Sequence, residues 1–498
     1  MNIQSLFRVP IFLVTCLLQV AFVCQGNPLK FSSGDSQGRL DGKRPNIIMF
    51  LADDQSITDH MTYGNEKVPT PVTQAFSKES LVFDNAFTGQ AICAPSRSML
   101  LTGLYPLRNG CYINHTAIRP GVKTLPFYLK KLGYDVLLVG KSHIKPADQF
   151  PWTQWIPPVK KAGYPRPAIS IEAVDQYLSK REKPFCLIIA SEYPHGPYFK
   201  ESKFDAEDVL LPPFQADNKW NRNYFGRYYT SIEEKENEFE AVLHLVDKYD
   251  IKDETIVFYA DDHGMARGKF TVYKSGLNVA FMVRWPGHIQ PGRTDALISF
   301  ADFVPTLIDL ASHNGIEKKY DFDGESLINL FEKNIGSHHK YVFGVGNSQG
   351  IQNRHIFPQR SIYDGRYNYI YNFNARERLE RLDIKDPIKY YFYSLGANKN
   401  KNKPEEELYD TLNDPFEMNN LAMDKDLMTL KSELKEVLFT WMKSQNDYLD
   451  DSSHIPFFKV WRPALDLDVQ APQFNYHISD DKVGSLEGRK VNPHDYGI

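Results

Sequence analysis

Thr255-Ile-Val-Phe-Tyr-Ala-Asp-Asp-His-Gly264 sets the reading of this chain: six residues of buried-strand character run straight into two carboxylates and an imidazole. β-Branched, aliphatic and aromatic residues bounded by turn signals suit a central strand covered on both faces. Four other segments repeat the design. Ile47-Ile-Met-Phe-Leu-Ala52 ends at Asp53-Asp54, and Tyr134-Asp-Val-Leu-Leu-Val139 at Gly-Lys141-Ser-His143. Phe185–Ala190 ends at Ser-Glu-Tyr-Pro-His195, and Val279–Arg284 at Trp-Pro-Gly287. Helical spacing lies between them at Leu125–Leu132, Ile171–Lys180 and Arg227–Asp247. Strand and helix in alternation predict an α/β, doubly wound, mostly parallel central sheet flanked by helices. Ligands of such a sheet sit beyond the carboxyl ends of its strands, where these polar clusters fall.

The texture changes near residue 359. Arg360–Tyr371 reads as a hairpin turning at Asp364-Gly365, and Leu427–Gln445 has helical spacing. The expected organisation is a leader over residues 1–26, a catalytic domain over 27–358, and an α+β C-terminal subdomain on an antiparallel sheet over 359–498. Arg8 before the apolar run Val9–Val23, then Cys-Gln-Gly26, has the form of a secretory signal and is too short for a secure membrane span. The mature chain is therefore expected to be exported without a transmembrane segment. A net charge of -4 with 24% charged residues gives no reason to invoke nucleic acid. Beyond the leader only Cys93, Cys111 and Cys186 remain, which is no disulfide framework. The single sequon, Asn114-His-Thr116, makes a periplasmic or extracellular location preferable to a lysosomal one.

Cys93-Ala-Pro-Ser-Arg97, followed by Ser-Met-Leu-Leu-Thr-Gly103, places a thiol at a helix mouth beside an arginine. Helix-terminal N–H groups and a guanidinium favour an anion there, and would stabilise a thiolate. A lone cysteine before a helix is more often simply buried. Asp53-Asp54 and Asp262-His263 form an oxygen-rich set that suits Ca²⁺ or Mg²⁺. With Arg97, Lys141, His143, His195 and Lys269 around them, the ensemble suits a tetrahedral, highly charged group such as sulfate or phosphate.

Cys-x-Pro-Ser-Arg with Leu-Thr-Gly resembles the signature of the type I sulfatases of the alkaline-phosphatase-like superfamily, where this cysteine becomes formylglycine. The resemblance extends over most of the chain: Asn46–Asp54, Gly140-Lys-Ser-His143, Pro194-His195, Asp262-His263-Gly264, Lys269 with Tyr273 and Gly276, and Glu407-Leu-Tyr-Asp410 with Asp414-Pro and Asn420-Leu-Ala422. It implies a Ca²⁺ ion held by Asp53, Asp54, Asp262 and His263, with the modified Cys93 as a further ligand. Asp261 stands where the family often has serine or threonine, and His263 where it often has asparagine; the family register favours Asp262 over Asp261.

The implied chemistry is attack on sulfur by one hydroxyl of the hydrated aldehyde, with Arg97 and Lys141 holding the modified side chain and Lys269 on a sulfate oxygen. His195 is the implied acid for the leaving oxygen, and His143 the base that releases sulfate. A formylglycine-generating or anaerobic sulfatase-maturating enzyme is the implied partner.

Gly140-Lys-Ser-His-Ile-Lys-Pro146 and Phe357–Ile362 look most like the heparan sulfamidase branch with its bacterial polysaccharide sulfatases. The expected substrate is a sulfate ester on a saccharide, with an N-sulfate as runner-up and a phosphomonoester or phosphonate as a further alternative. A secreted glycan-binding protein without turnover is the non-enzyme alternative. His355 and Arg360 are candidates to reach the site from the C-terminal part, and the loop Phe150–Pro167, with Trp152 and Trp155, is a candidate wall for a sugar.

Overall fold

A computed structural model describes residues 44–212, 217–265, 269–312, 320–333, 336–347, 358–373 and 404–449. The leader, His355 and residues 450–498 lie outside the described residues.

Eight strands form the large sheet: β1 (Asn46–Asp53), β2 (Leu81–Phe87), β3 (Asp135–Gly140), β4 (Gln154–Ile156), β5 (Phe185–Pro194), β6 (Thr255–Asp261), β7 (Asn278–Arg284) and β8 (Gly292–Ser299). Their order is β4-β3-β5-β1-β6-β7-β2-β8. All neighbours pair in parallel except β7, which runs against both β6 and β2. The central strands alternate their side chains between two apolar layers. Ile47, Met49 and Leu51 join one core with Ile256 and Phe258; Ile48, Phe50 and Ala52 join the other with Val257 and Tyr259. Burial on both faces is why these strands read as unbroken apolar runs.

The first layer is closed by α1 (Cys93–Thr102), α2 (Leu125–Lys131) and, further along, the helix Phe303–Ala311; the second by α3 (Ile171–Leu178) and α4 (Lys219–Lys248). α4 begins eight residues before the periodic stretch starting at Arg227, because the Asn218 side chain accepts from Asn221 N–H and caps about two added turns. β2 and β8 carry less regular patterns: Asp84 and Asn85 interrupt β2, and β8 opens with exposed Gly292-Arg293.

The smaller sheet is antiparallel, in the order β12-β11-β10-β9, with β9 (Val342–Gly346), β10 (Gln359–Tyr363), β11 (Tyr367–Asn372) and β12 (Glu406–Asp410). β10 and β11 are the expected hairpin. Asp364 Oδ1 accepts from the N–H groups of Arg366 and Tyr367, and Gly365 takes φ +98°. β9 starts upstream of residue 359, so this sheet draws on chain assigned by sequence to the larger domain. The helix Met428–Ser444 packs on the sheet, with the Trp441 ring stacked on Phe343 at 4.4 Å.

Arg360 corrects an expectation. It is fully buried, not aimed at a substrate: its guanidinium is bonded by Asp447 at 2.5 and 2.8 Å and donates to Asn347. Alternation along β10 puts it beneath the sheet. The loop with Trp152 and Trp155 also divides. Trp152 stacks on buried Phe150, while Trp155, half exposed on β4, donates its indole N–H to Gly140 O at 3.0 Å.

Candidate active site

Four strand ends and one helix mouth deliver the polar residues to one place. Asp53 closes β1 and Asp54 follows it; Lys141 and His143 follow β3; His195 follows β5; Asp262 and His263 follow β6; Cys93 opens α1. Backbone conformation makes the turns possible. Gly140 has φ +85°, and a Cβ there would lie 2.2 Å from Ala190 O. At Gly264 a Cβ would lie 1.9 Å from Ser275 O. Asp54 and His143 hold φ of 63° and 47°, the left-handed region in which side chains are uncommon and functional sites are enriched.

The Cys93 Sγ atom lies 3.4 Å from His263 Nε2 and 3.6 Å from Lys269 Nζ. Lys269 also donates to both oxygens of Asp54, at 2.9 and 2.7 Å, and its Nζ is 3.4 Å from His195 Nε2. Lys141 pairs with Asp53. Arg97, one helical turn after Cys93, reaches Asp262 Oδ2 from Nε at 3.0 Å and lies 3.5 Å from Asp53 Oδ1. Asp262 Oδ1 also accepts from Asp54 N–H at 3.0 Å, tying β6 to β1. His143 also hydrogen-bonds Cys93, so all ten sequence-derived site residues meet in one pocket.

Asp261 stands apart from the pocket. Its carboxylate accepts from Tyr259 OH at 3.1 Å and lies 2.8 Å from His60 Nε2, on the opposite side of β6. Sequence reading missed His60, and it missed His115 and Asn114. His115 Nδ1 is 2.6 Å from His143 Nε2. Asn114 Oδ1 accepts from Ala94 N–H at 3.3 Å, so the sequon residue is buried against α1. No spacing rule exposes either, because the loop that carries them is irregular. Cys111 and Cys186 are both buried, and burial pushes the Cys111 thiol up to about 11.

Charge in the pocket is concentrated. Burial alone would raise the Cys93 thiol, but Lys141, Lys269 and His263 outweigh it and draw it well below its ordinary value. Burial would likewise lower His263, yet Asp262 and Asp54 hold it up at about 9. Burial opposes ionised Asp53, and Lys141 leads the cations that keep its carboxyl below the usual range. The same cations would stabilise negative charge developing on a substrate here.

The residues fit a hard divalent cation. Ligand atoms of Asp53, Asp54, Cys93 and His263 all lie within 4.8 Å of one another, and Asp53 Oδ1 is buried without a hydrogen-bond partner. Asp262 Oδ1 is next in reach, 3.7 Å from His263 Nε2. Carboxylates dominate this donor set, as a calcium or magnesium site requires.

Residues 45–313 of this 498-residue chain match the sulfatase family model, over half its length. The chain belongs to the sulfatase family. Residues 262–393 of this sulfatase also match the C-terminal model of N-sulphoglucosamine sulphohydrolase, in keeping with the branch read from the sequence. It is 43% identical over 451 residues to an ulvan-active sulfatase of Formosa agariphila, covering 89% of this chain and 90% of that protein. It is 24% identical over 468 residues to human N-sulphoglucosamine sulphohydrolase, covering 81% and 90% respectively. A solved structure concerned with metabolism of multiple glycosaminoglycans by Bacteroides thetaiotaomicron shares the fold, with a TM-score of 0.67 at 21% identity, covering 82% of this sulfatase and 98% of that chain. As a member of this family the protein is a sulfuric ester hydrolase.

Proposed function

We propose that this sulfatase hydrolyses sulfate esters on a polysaccharide, using Cys93 after its conversion to formylglycine, together with one Ca²⁺ ion. The observation that carries this reading is the ring of Lys269, His263, Lys141 and Arg97 around the Cys93 side chain and its carboxylates. When present, the ion would draw charge from the sulfate oxygens and the hydrated aldehyde would supply a hydroxyl nucleophile with a second hydroxyl for release.

Asp53, Asp54, Asp262 and His263 would hold the ion. Arg97 fixes Asp262 by its Nε donor and so sets the direction of that carboxylate. Lys141 and Lys269 balance the anionic charge, with Lys269 placed to meet a sulfate oxygen. His195, whose basicity rises because Asp53 and Asp54 outweigh its burial, is the donor to the leaving oxygen. His143, lowered chiefly by burial, is the neutral acceptor that drives release of sulfate.

The polysaccharide assignment is supported by the ulvan-active relative. An N-sulfated glucosamine is the second reading, favoured by the match of residues 262–393 to the sulphohydrolase C-terminal model. The leader-like segment over residues 1–26 supports export, and activation requires a formylglycine-generating or anaerobic sulfatase-maturating enzyme.

The test is inorganic sulfate release from sulfated ulvan oligosaccharides, N-sulfoglucosamine and a matched phosphate ester, alongside the mass of the Cys93 peptide. An aldehyde lighter than cysteine by roughly 18 Da is expected, with release lost in Cys93→Ala. Near-native release by Cys93→Ala, or phosphate released in preference to sulfate, overturns the reading.

A further inference from the structure

A second group of ligand-type side chains lies outside the Cys93 pocket, where the chain passes from the large sheet into the small one. Asp302, fully buried, ends a short turn after β8, and His338 and His339 approach it from the segment before β9. His339 Nε2 is 2.8 Å from Asp302 Oδ1, and His338 Nε2 is 3.3 Å from Asp302 Oδ2. The three donor atoms all lie within 4.8 Å of one another. His339 is aligned for an ordinary hydrogen bond. His338 is not: its side chain is only 8% exposed, yet its buried Nε2 has no hydrogen-bond partner. A buried imidazole nitrogen without a partner is costly, and its aim at a carboxylate already served by another histidine calls for a different acceptor of its lone pair.

We propose that Asp302, His338 and His339 form a binding site for a first-row divalent cation of the zinc type. Two imidazoles and one carboxylate are a zinc-like donor set, unlike the carboxylate-dominated set around Cys93. The carboxylate is already oriented as a metal ligand would be. Ser299 N–H donates to Oδ2 at 2.7 Å and Glu325 N–H to Oδ1 at 2.8 Å, which fixes both oxygens from outside the site. A cavity of about 280 Å³ bordered by His339, Ser299, Asp323 and Gln445 lies beside the group, on the His339 side.

The placement gives the ion a structural task. The turn Phe300–Asp302 packs on α1, the helix that begins with Cys93, while His338 and His339 immediately precede the smaller sheet. An ion here would tie the start of that sheet to the support beneath the nucleophile helix.

The experiment titrates the untagged, Ca²⁺-loaded protein with Zn²⁺ against a competing chelator, counts retained zinc after desalting, and records the melting temperature. Wild type and Cys93→Ala are each expected to retain about one zinc and to melt higher with it. His338→Gln/His339→Gln is expected to bind at least about tenfold more weakly and to lose the melting shift. Co²⁺ bound to the unmutated protein gives an independent reading: d–d bands without a thiolate charge-transfer band are expected. No retained zinc, retention lost in Cys93→Ala, retention unchanged in the double variant, or a thiolate band would each overturn the site. None of these readouts uses sulfate release, so the zinc site and the proposed reaction stand or fall separately.

Discussion

His143 Nε2 lies 2.6 Å from His115 Nδ1, and the two rings sit 4.5 Å apart. Both residues hold left-handed backbone, at φ 47° and 65°, so the contact depends on two turns set by the fold. Burial, then the neighbouring His143, pushes His115 down to about 4, leaving a neutral ring that fixes the orientation of its partner. His115→Ala is expected to lower kcat by about 10- to 100-fold with little change in KM, because His143 would lose its alignment. His115→Gln should restore part of the rate. Steady-state kinetics on one sulfated oligosaccharide decides it, and a pure KM effect would count against this positioning role.

Metal removal should weaken both activity and stability. At a free Ca²⁺ concentration about 100 times Kd, linkage stabilises the folded state by about 2.7 kcal/mol. Chelation followed by desalting is expected to lower the melting temperature and abolish sulfate release, with both restored by Ca²⁺. Asp53→Asn should lose that response, since Asp53 Oδ1 is buried without a hydrogen-bond partner and is placed to serve as a ligand.

The fully buried pair Arg360–Asp447 and the pair Arg366–Asp410, whose arginine is exposed, should separate sharply. Arg360 and Asp447 have side chains with no exposure, so Asp447→Ala strands a buried guanidinium and is expected to cost about 3–5 kcal/mol. Arg366 is 48% exposed, and Arg366→Ala is expected to leave the midpoint almost unchanged. Denaturant midpoints of the two variants provide the comparison.

Glu238 should make stability fall as the solution becomes more alkaline. Burial raises its carboxyl from 4.5 to about 7, although Ser191 Oγ donates to it at 2.5 Å and Ile169 N–H at 2.9 Å. A group raised in the folded state contributes fully below its unfolded value and loses that contribution as pH climbs through the folded one. The loss therefore falls between pH 4.5 and about 7. Its size is on the order of 3 kcal/mol. Glu238→Gln should match wild type near pH 4.5 and be the more stable of the two at pH 8. Melting temperatures across that range test the sign.

The chain's order of residues was enough to determine the large sheet's central strands, the polar cluster after each, and the helix-mouth cysteine. Strands buried on both faces must be apolar throughout, and a site at strand ends must follow them directly, so both features are local in sequence. The resemblance already favoured Asp262 over Asp261, and the folded chain supplies the reason: Asp261 turns to His60 and Asp262 to Arg97, on opposite sides of the strand end. The folded chain also decided that Arg360 is core, that β7 runs antiparallel, that His115 meets His143, and that His338 and His339 are brought up to Asp302. The histidine contacts join loops that no periodicity links, while the direction of β7 and the burial of Arg360 depend on which strands and helices pack together.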